Sequence, residues 1–346
     1  MMRHLSVPRT ETSLWIEYLS KRDWLAASVA IQDLGIRRGI PLNQSAPEKI
    51  EGLPIVELEP NLPGSKHWTD RLPLKLFERY LEFWPTSNDQ LGDLVIIKIP
   101  EEVRDYKNQI GKAILGHSER VRLVCEDRGV KGEYRVRDLQ IIASRDGSTT
   151  TRTQVKEHSK TLWIDPAKAY YSPRLGTERL NTFEEGKNLA KRLSRPIVIC
   201  DPYAGVGPNL TLFDNEDFVE MIIAVDLNPD AVELLKLNLS NKSIISCYDA
   251  RQLAEKHRYK ADLLLVNLPH DSMDHLPDLL NLLARGHEVM IRGWAIIGKD
   301  KMTEIQTKIK AIFQNHEIIE LMITPIKSYS PQDEVIRFQL RIQFDA

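Results

Sequence analysis

The sequence is poor in cysteine and has no long run of apolar residues. Its three cysteines (Cys125, Cys200 and Cys247) form no CxxC pair, which argues against a zinc site or a disulfide framework and fits a reducing cytoplasm. Each lies in or beside an apolar segment, so we expect core thiols rather than a nucleophile. No segment approaches the roughly 18 consecutive apolar residues of a membrane span, and the first residues lack the apolar core of a signal peptide. We therefore expect a cytoplasmic protein without a membrane or metal site.

Net charge is also small, at −2, and does not by itself mark a protein that binds nucleic acid. The charge is unevenly distributed, however. Residues 104–137 contain nine lysines and arginines against five acidic residues, a local excess of +4. Such a segment can neutralise phosphate groups, and a solvated charged surface is the alternative explanation. RNA is therefore one candidate partner.

The length of 346 residues exceeds what one core usually supports and predicts two or three domains. Residues 1–75 contain one or two amphipathic helices over 13–32, followed by a proline-rich connection, and predict a small N-terminal module. Residues 76–165 mix helices with strands, including a strand pair near the end, and predict an α+β middle domain.

From 166 to 346, apolar strands alternate with helices. This pattern predicts an α/β domain with a mostly parallel sheet covered on both faces. The last two strands are joined by a short loop and should form an antiparallel hairpin. A doubly wound sheet that ends in such a hairpin is typical of Rossmann-like class I methyltransferases.

A glycine-containing turn, DPYAGVGPN (201–209), follows the first strand of this domain. Open α/β sheets bind ligands at that strand end, and Gly205 and Gly207 allow the backbone to pass close to a ligand. A dinucleotide fold is the competing interpretation. Its GxGxxG pattern would require glycine where Leu210 stands, and Pro208 disturbs the helix start that would hold a pyrophosphate. The sequence thus disfavours NAD.

Acidic residues end the next two predicted strands. Asp226 can accept both hydrogen bonds of a ribose diol, which NAD and S-adenosylmethionine both possess. Its alternative role is to cap the next helix, for which Asn228 is better placed. Asp249 stands where an acid can meet the adenine amino group, although an aspartate in a turn is weak evidence.

The turn Asn267-Leu268-Pro269 follows the fourth strand. An Asn-x-Pro turn there can present carbonyl oxygens to a base nitrogen, as Asn/Asp-Pro-Pro motifs do in nitrogen-directed base methyltransferases. An isolated turn of this kind is common. Its place after a glycine-rich first turn and an acidic second strand end is far more specific.

Taken together, these motifs resemble the archaeal and eukaryotic tRNA (guanine-37, N1) methyltransferases. The most specific match is YYSPRLGTER (170–179), which generic Rossmann-like methyltransferases lack. The other matching segments are 132–144, the rest of 156–179, 201–209, 224–238 and 266–270.

The resemblance implies that methyl passes from S-adenosylmethionine to N1 of guanine 37 in tRNA, beside the anticodon. It implies that Glu178 is the general base and that Arg135 holds the guanine O6. Alternatively, Glu178 pairs with Arg174 or Arg179, and Arg135, placed in a basic strand, contacts only phosphate. The residues that we assign to the cofactor and its surroundings are Tyr170, Asp201, Tyr203, Gly205, Gly207, Asp226, Asn228, Asp249, Asn267 and Pro269.

The chemistry of the reaction supports these roles independently. Guanine N1 carries a proton at neutral pH, so its lone pair becomes available only when a base removes that proton. Negative charge then moves onto O6, where a guanidinium stabilises it. Because the sulfonium of the cofactor is already an activated methyl donor, the protein must mainly align the reactants. A metal ion is not required.

We expect a monomer that binds the anticodon region of tRNA, with the N-terminal module docking elsewhere on the tRNA, as the resemblance implies. One alternative is an enzyme of wyosine synthesis that acts on a modified guanine 37 by methyl or aminocarboxypropyl transfer. The Asn267-Pro269 turn counts against the aminocarboxypropyl transferases, which usually lack it. A second alternative is a tRNA-binding relative without catalysis.

Overall fold

The computed structural model describes residues 1–26, 29–60 and 67–344. Contacts divide the chain into two compact units. The first comprises Met1–Trp84 and Glu101–Glu119, and the second comprises Pro85–Pro100 and the described residues from Arg120 onward. The three-part division at about residues 75 and 165 remains a sequence-based proposal.

The described residues of the first unit form a four-stranded antiparallel sheet and three α-helices. Its strands lie in the order β2-β3-β1-β4. Leu5, Val7, Leu19 and Ile40 are fully buried and form the centre of its core. The elements are β1 (Met2–Pro8), α1 (Thr12–Ser20), β2 (Gln32–Leu34), β3 (Arg37–Pro41), β4 (Ile55–Leu58), α2 (Leu74–Arg79) and α3 (Lys107–His117).

Helix α1 is shorter than the sequence predicted. It ends at Ser20, because Asp23 adopts a left-handed conformation with φ of 57° that an α-helix does not accommodate. Residues 27–28 of the predicted helical segment, and Pro63 of the proline-rich connection, lie outside the described residues.

The second unit begins with two small sheets. Strands β5 to β8 form one sheet in sequence order, with β6 and β7 parallel. Strand β9 pairs with β10, which confirms the predicted strand pair, and the two strands run antiparallel. The strands are β5 (Asp89–Leu91), β6 (Leu94–Ile97), β7 (Leu123–Lys131), β8 (Val136–Ser144), β9 (Thr153–Glu157) and β10 (Lys160–Ile164).

A seven-stranded sheet follows, in the order β13-β12-β11-β14-β15-β17-β16. Strands β11 to β16 run in one direction, and β17 runs in the opposite direction between β15 and β16, which confirms the predicted mostly parallel sheet with a terminal antiparallel hairpin. The elements are α4 (Gly176–Leu193), β11 (Ile197–Asp201), β12 (Val219–Asp226), α5 (Pro229–Asn238), β13 (Ile244–Cys247), α6 (Leu253–Lys256), β14 (Leu263–Val266), α7 (Ser272–Leu279), β15 (Glu288–Gly298), α8 (Met302–Ile312), β16 (Glu317–Ser328) and β17 (Asp333–Gln343).

Alternation along the central strands directs side chains into two cores. Ile197 and Ile199 of β11 pack with residues of α4 and α5 on one face. Val198 and Cys200 pack with residues of α7 and α8 on the other face. Side chains of successive strand residues point to opposite faces, so helices cover both faces and leave the carboxyl edge of the sheet open for a site.

A third core joins the small sheets to this domain. Leu94 and Leu162 pack in one cluster with Val206 and Leu234, which belong to the glycine turn and to α5. The Asn238 amide donates to the Trp163 carbonyl at 2.9 Å and accepts the Trp163 N–H at 2.7 Å. Strands β5–β10 are thereby fixed beside the carboxyl edge of the sheet.

Two of the three thiols are buried as expected. Cys125 and Cys200 lie in the core, whereas Cys247 is exposed, so the expectation of a core thiol was wrong there. The cause is its place at the end of β13, the edge strand of the large sheet.

Candidate active site

Two cavities adjoin each other at the carboxyl edge of the large sheet. The first has a volume of about 410 Å³ and is lined by the turns that follow β11, β12 and β14. The second has a volume of about 370 Å³ and extends towards β15 and the β16–β17 hairpin. Arg135, Tyr170, Asn267 and Pro269 line both cavities and so mark their junction.

The glycine turn forms one wall of the first cavity. Gly205 has a φ of 56°, and an added Cβ would meet no other atom within 4 Å, so its missing side chain leaves open space beside the cavity. Gly207 has another role. Its φ is 85° and a Cβ would lie 2.6 Å from Leu235 Cδ1, so glycine is needed there for packing against α5. Gly207 does not line the cavity.

Asp201, at the end of β11, lies behind the cavity wall and is fully buried. Its Oδ1 accepts the Tyr203 N–H at 3.1 Å. Burial is the main cause that raises the pKa of this carboxyl to about 7, and the Tyr203 N–H opposes the shift. Asp201 therefore supports the turn from behind rather than lining the cavity.

Asp226, at the end of β12, faces the first cavity. Its Oδ2 accepts the Gly205 N–H at 2.7 Å, and its Oδ1 accepts the Asn228 N–H at 2.9 Å. Burial raises its pKa, and these two backbone donors oppose that rise. Each carboxylate oxygen can accept a further hydrogen bond. The two backbone donors thus fix Asp226 with acceptor capacity directed at a ligand.

Asn228 also lines the first cavity, but its side chain is engaged within the protein. Its Oδ1 accepts the Asp230 N–H at 3.0 Å, so it caps α5, which confirms the capping role expected from the sequence. Its amide donates to the Lys168 carbonyl at 2.7 Å. Asn228 therefore shapes the cavity rather than offering a free amide.

The far end of the first cavity contains two polar pairs. Asp249 follows β13 and pairs with Arg251 at 2.6 Å, and the hydrogen bond from that guanidinium is the main cause that lowers the pKa of Asp249 to about 2. The Tyr203 hydroxyl lies 2.8 Å from His275 Nδ1. Arg251 and His275 line the cavity and were missed from the sequence, where neither belongs to a recognisable motif.

Asn267 follows β14 directly and sits where the cavities meet. The turn is tied to β15 by the Ile296 N–H, which donates to the Pro269 carbonyl at 2.8 Å. The half-buried Asn267 side chain makes no hydrogen bond to any residue that the structure describes. Its amide is therefore available to a ligand on either side.

Arg135 lies in the turn between β7 and β8, not in a strand as the sequence predicted. Its φ is 50° and its N–H donates to the Gly132 carbonyl at 3.2 Å, so the chain turns back there and β8 begins only at Val136. The turn places this exposed guanidinium against both cavities.

Several cations of the basic segment, residues 104–137, form ion pairs with carboxylates. Within residues 120–137, four cations pair with carboxylates: Arg122 with Asp93, Arg128 and Lys131 with Asp138, and Arg137 with Asp89. Arg135 forms no ion pair within the described part of the chain. Much of the local charge excess is thus neutralised internally, and Arg135 keeps its charge for a ligand.

Glu178, in the first turn of α4, lines the second cavity. Its two carboxylate oxygens accept hydrogen bonds from Nη1 of Arg337 on β17, at 3.1 and 2.9 Å. The side chain is only 12% exposed. The base assigned from the sequence therefore sits in the cavity wall, held from one side by a guanidinium.

The local ion pairs suggested for Glu178 do not form. Arg174 pairs with Asp89 at 3.0 Å, and the buried Arg179 pairs with Glu157 of β9. Neighbouring helical residues point in directions about 100° apart, so Arg179 faces the hairpin while Glu178 faces β17.

Glu157 of β9 anchors the segment Tyr170–Arg179. Glu157 accepts hydrogen bonds from the Tyr171 hydroxyl at 2.9 Å and from Arg179, whose guanidinium also donates to the Ser172 carbonyl at 2.8 Å. Tyr170 is 62% exposed and lines both cavities. Tyr171 and Arg179 belong to the motif recognised in the sequence, whereas their partner Glu157 in the preceding hairpin was not predicted.

Two further features concern the described residues as a whole. None of the helices they form is both long enough and apolar enough to cross a membrane. Among these same residues, no cluster of three or more histidine, cysteine or acidic side chains is suited to hold a metal ion.

Comparisons with known proteins decide the family. Residues 153–319 match the TRM5/TYW2 methyltransferase domain, and residues 69–149 match the TYW2 N-terminal domain. The Trm5b tRNA (guanine(37)-N(1))-methyltransferase of Pyrococcus abyssi is 30% identical over 309 residues, 85% of this chain and 86% of that protein. The Trm5b of Methanocaldococcus jannaschii is 32% identical over 262 residues, 74% of this chain and 71% of that protein. The chain belongs to the tRNA (guanine(37)-N(1))-methyltransferase family.

Solved structures of the family agree with this assignment. The crystal structure of Trm5b from Pyrococcus abyssi matches with a TM-score of 0.65 and 27% identity, covering 99% of this chain and all of that one. A complex of aTrm5 with tRNALeu matches with a TM-score of 0.69 and 26% identity, covering 98% and 99%. Both the family and the fold class expected from the sequence are confirmed.

Proposed function

We propose that this protein transfers a methyl group from S-adenosylmethionine to N1 of guanine 37 in tRNA. The observation that carries the proposal is the junction of the two cavities. Arg135 and Asn267 stand between a site that suits a nucleoside and a cavity lined by Glu178. The curated relatives named above carry this activity in their names.

The first cavity fits the cofactor chemically. Asp226 offers carboxylate oxygens for a ribose diol, Gly205 leaves space for close approach, and Asp249 stands at the end suited to the adenine amino group. When bound, S-adenosylmethionine supplies an activated methyl group on its sulfonium. The part of the protein is to direct this methyl towards the second cavity.

The second cavity supplies the groups that N1 methylation needs. The carboxylate of Glu178 accepts the N1 proton, because the N1 lone pair is otherwise unavailable. The guanidinium of Arg135 stabilises the negative charge that develops on O6. The free amide of Asn267 donates or accepts at the base edge and keeps N1 in line with the methyl group.

A guanine must leave its stack in the anticodon loop to enter this cavity, as bases do in enzymes that modify them. Two exposed tyrosines, Tyr134 and Tyr170, line both cavities and can stack on nucleotides. A structurally similar protein, aTrm5, has been solved with tRNALeu. We assign tRNA as the partner of this chain on these grounds.

We further propose that the protein acts as a monomer in the cytoplasm and that the first unit contributes to tRNA binding. The alternative of wyosine synthesis is not favoured. The matching TYW2 structure from Pyrococcus horikoshii is 19% identical and shows the fold alone, whereas the Trm5b relatives reach 30% or more over most of the chain.

The substrate assignment is tested with unmodified tRNA transcripts that differ only at position 37. Labelled methyl should pass from S-adenosylmethionine to the transcript with G37 and not to the one with A37. Adenine offers the Glu178 carboxylate no N1–H to accept and presents an amino group, not an oxygen, to the Arg135 guanidinium, so it should not be held in the second cavity. Equal labelling of both transcripts would overturn the assignment, as would no labelling of either by protein that binds cofactor.

Replacing Asp226 tests the cofactor site. Asp226→Asn should weaken S-adenosylmethionine binding by about 10- to 100-fold, because one acceptor oxygen is lost and the amide opposes a backbone donor. Isothermal titration calorimetry measures the effect. Asp230→Asn is the matched control, since that exposed carboxylate pairs with Lys168 outside the cavity, and affinity should stay within about twofold. Unchanged affinity in Asp226→Asn would remove this residue from the site.

A further inference from the structure

Arg337, which holds Glu178, is itself fixed across three strands. It lies on β17 opposite Trp294 of β15 and Thr324 of β16. Its Nη2 donates to Thr324 Oγ1 at 3.3 Å while its Nη1 bonds Glu178. Its side chain is only 16% exposed. A guanidinium held in this way has little freedom to follow another ligand.

A row of buried polar groups continues behind this pair. On α4, Thr182 and Glu185 follow Glu178 at four and seven positions and so share its face of the helix. The Thr182 hydroxyl donates to the Glu178 carbonyl at 2.8 Å. On β17, Gln339 lies two residues after Arg337 on the same face of the sheet and donates to Glu185 at 3.1 Å.

Arg292 of β15 completes the row. It is 2% exposed, its Nε donates to Thr182 Oγ1 at 2.9 Å, and its Nη1 donates to Gln339. Burial is the main cause that lowers its pKa to about 10, and the nearby charge of Arg337 adds to the effect. Both cations thus lie between the sheet and the helix that carries Glu178.

Folding stability alone would not favour this row of buried polar and charged side chains. Taking a guanidinium out of water is costly, and a well-packed apolar core of similar volume is often as stable or more stable. The row occurs where α4 meets β15 and β17, directly behind the wall that presents Glu178 to the second cavity. Because the row ends at Glu178, its location indicates that it serves to hold the Glu178 carboxylate.

We propose that Arg337 is a positioning residue for the reaction, acting through Glu178, and this rests on the proposed role of Glu178 as base. Arg337 binds both carboxylate oxygens from one side and leaves further lone pairs to accept the N1 proton. Arg337 therefore orients the base.

Steady-state and single-turnover kinetics of Arg337→Met test the proposal. The variant should lose about 10- to 100-fold in kcat, because a misplaced base costs rate, while KM for tRNA and cofactor affinity change by less than about threefold. Arg337→Lys should recover part of the loss, since it restores the charge beside Glu178 without the second nitrogen that bonds Thr324 and fixes the guanidinium. Arg341→Met is the matched control, because Arg341 lies on the same strand and pairs with Glu288 away from both cavities.

A double-mutant cycle separates positioning from a merely structural role. If Arg337 acts through Glu178, adding Arg337→Met to Glu178→Gln should cause no further loss of kcat. Additive losses, a loss equal in Arg337→Lys and Arg337→Met, or full activity of Arg337→Met would each overturn the proposal. Failure of the proposed function looks different, since wild-type protein would then transfer no methyl group to guanine N1. Failure of the role of Glu178 alone would leave Glu178→Gln fully active.

Discussion

Glu178→Gln is expected to lower kcat by about 1,000-fold, the largest effect of any single change in the protein. An amide has the shape of the carboxylate but cannot take the N1 proton, and general-base catalysis of this kind contributes about 10²- to 10⁴-fold. Glutamine keeps one oxygen that can accept from Arg337, so the wall of the second cavity should persist. Single-turnover methyl transfer at saturating tRNA measures the effect.

Two controls sharpen this result. Cofactor affinity of Glu178→Gln should be unchanged, because Glu178 lines the second cavity and not the first. Glu184→Gln, an exposed position on the same helix, should retain activity within about twofold. Near-normal turnover of Glu178→Gln would show that another group, or water, removes the N1 proton.

The second large effect is expected for Arg135→Ala, which should lower kcat by about 100- to 1,000-fold. Removing one preformed donor to a developing oxyanion costs about this much. Arg135 forms no ion pair with the described residues, so its removal leaves no carboxylate unpaired and should leave the melting temperature nearly unchanged. Single-turnover kinetics together with thermal unfolding measure both quantities.

Arg128→Ala is the matched control, because Arg128 lies in the same hairpin and pairs with Asp138. If Arg135 only contacted phosphate, as the sequence left open, the loss would appear in tRNA affinity and would weaken with rising salt. If Arg135→Ala left kcat unchanged and raised KM for tRNA, the role of Arg135 would be tRNA binding and not catalysis.

Much of the second unit could be predicted from sequence because its signals are local. Buried parallel strands such as β11 and β14 are continuous apolar runs, and the turns that follow them contain the glycine, aspartate and asparagine residues. Carboxyl ends of parallel strands meet at one edge. Residues of those turns, including Asp226 and Asn267, therefore line one cavity.

Features that depend on distant partners could not be predicted. The pairing of Glu178 with Arg337 joins residues 159 positions apart, and nothing in the local pattern of either marks the other. The left-handed backbone conformation of Arg135 likewise could not be predicted, because the surrounding sequence has the pattern of a strand. Gly207 resembles Gly205 in the motif, and its close packing against Leu235 of α5 could not be predicted from that motif.

The identity of the methylated nucleoside tests the central claim most directly. Wild-type protein is incubated with S-adenosylmethionine and a G37 transcript, the tRNA is digested, and its nucleosides are separated by mass spectrometry against standards. Because we propose that Glu178 accepts the N1 proton and that Arg135 stabilises the charge on O6, N1-methylguanosine should be the product. A methyl group on N2, or an aminocarboxypropyl adduct, would contradict the assignment of these two residues and of the reaction.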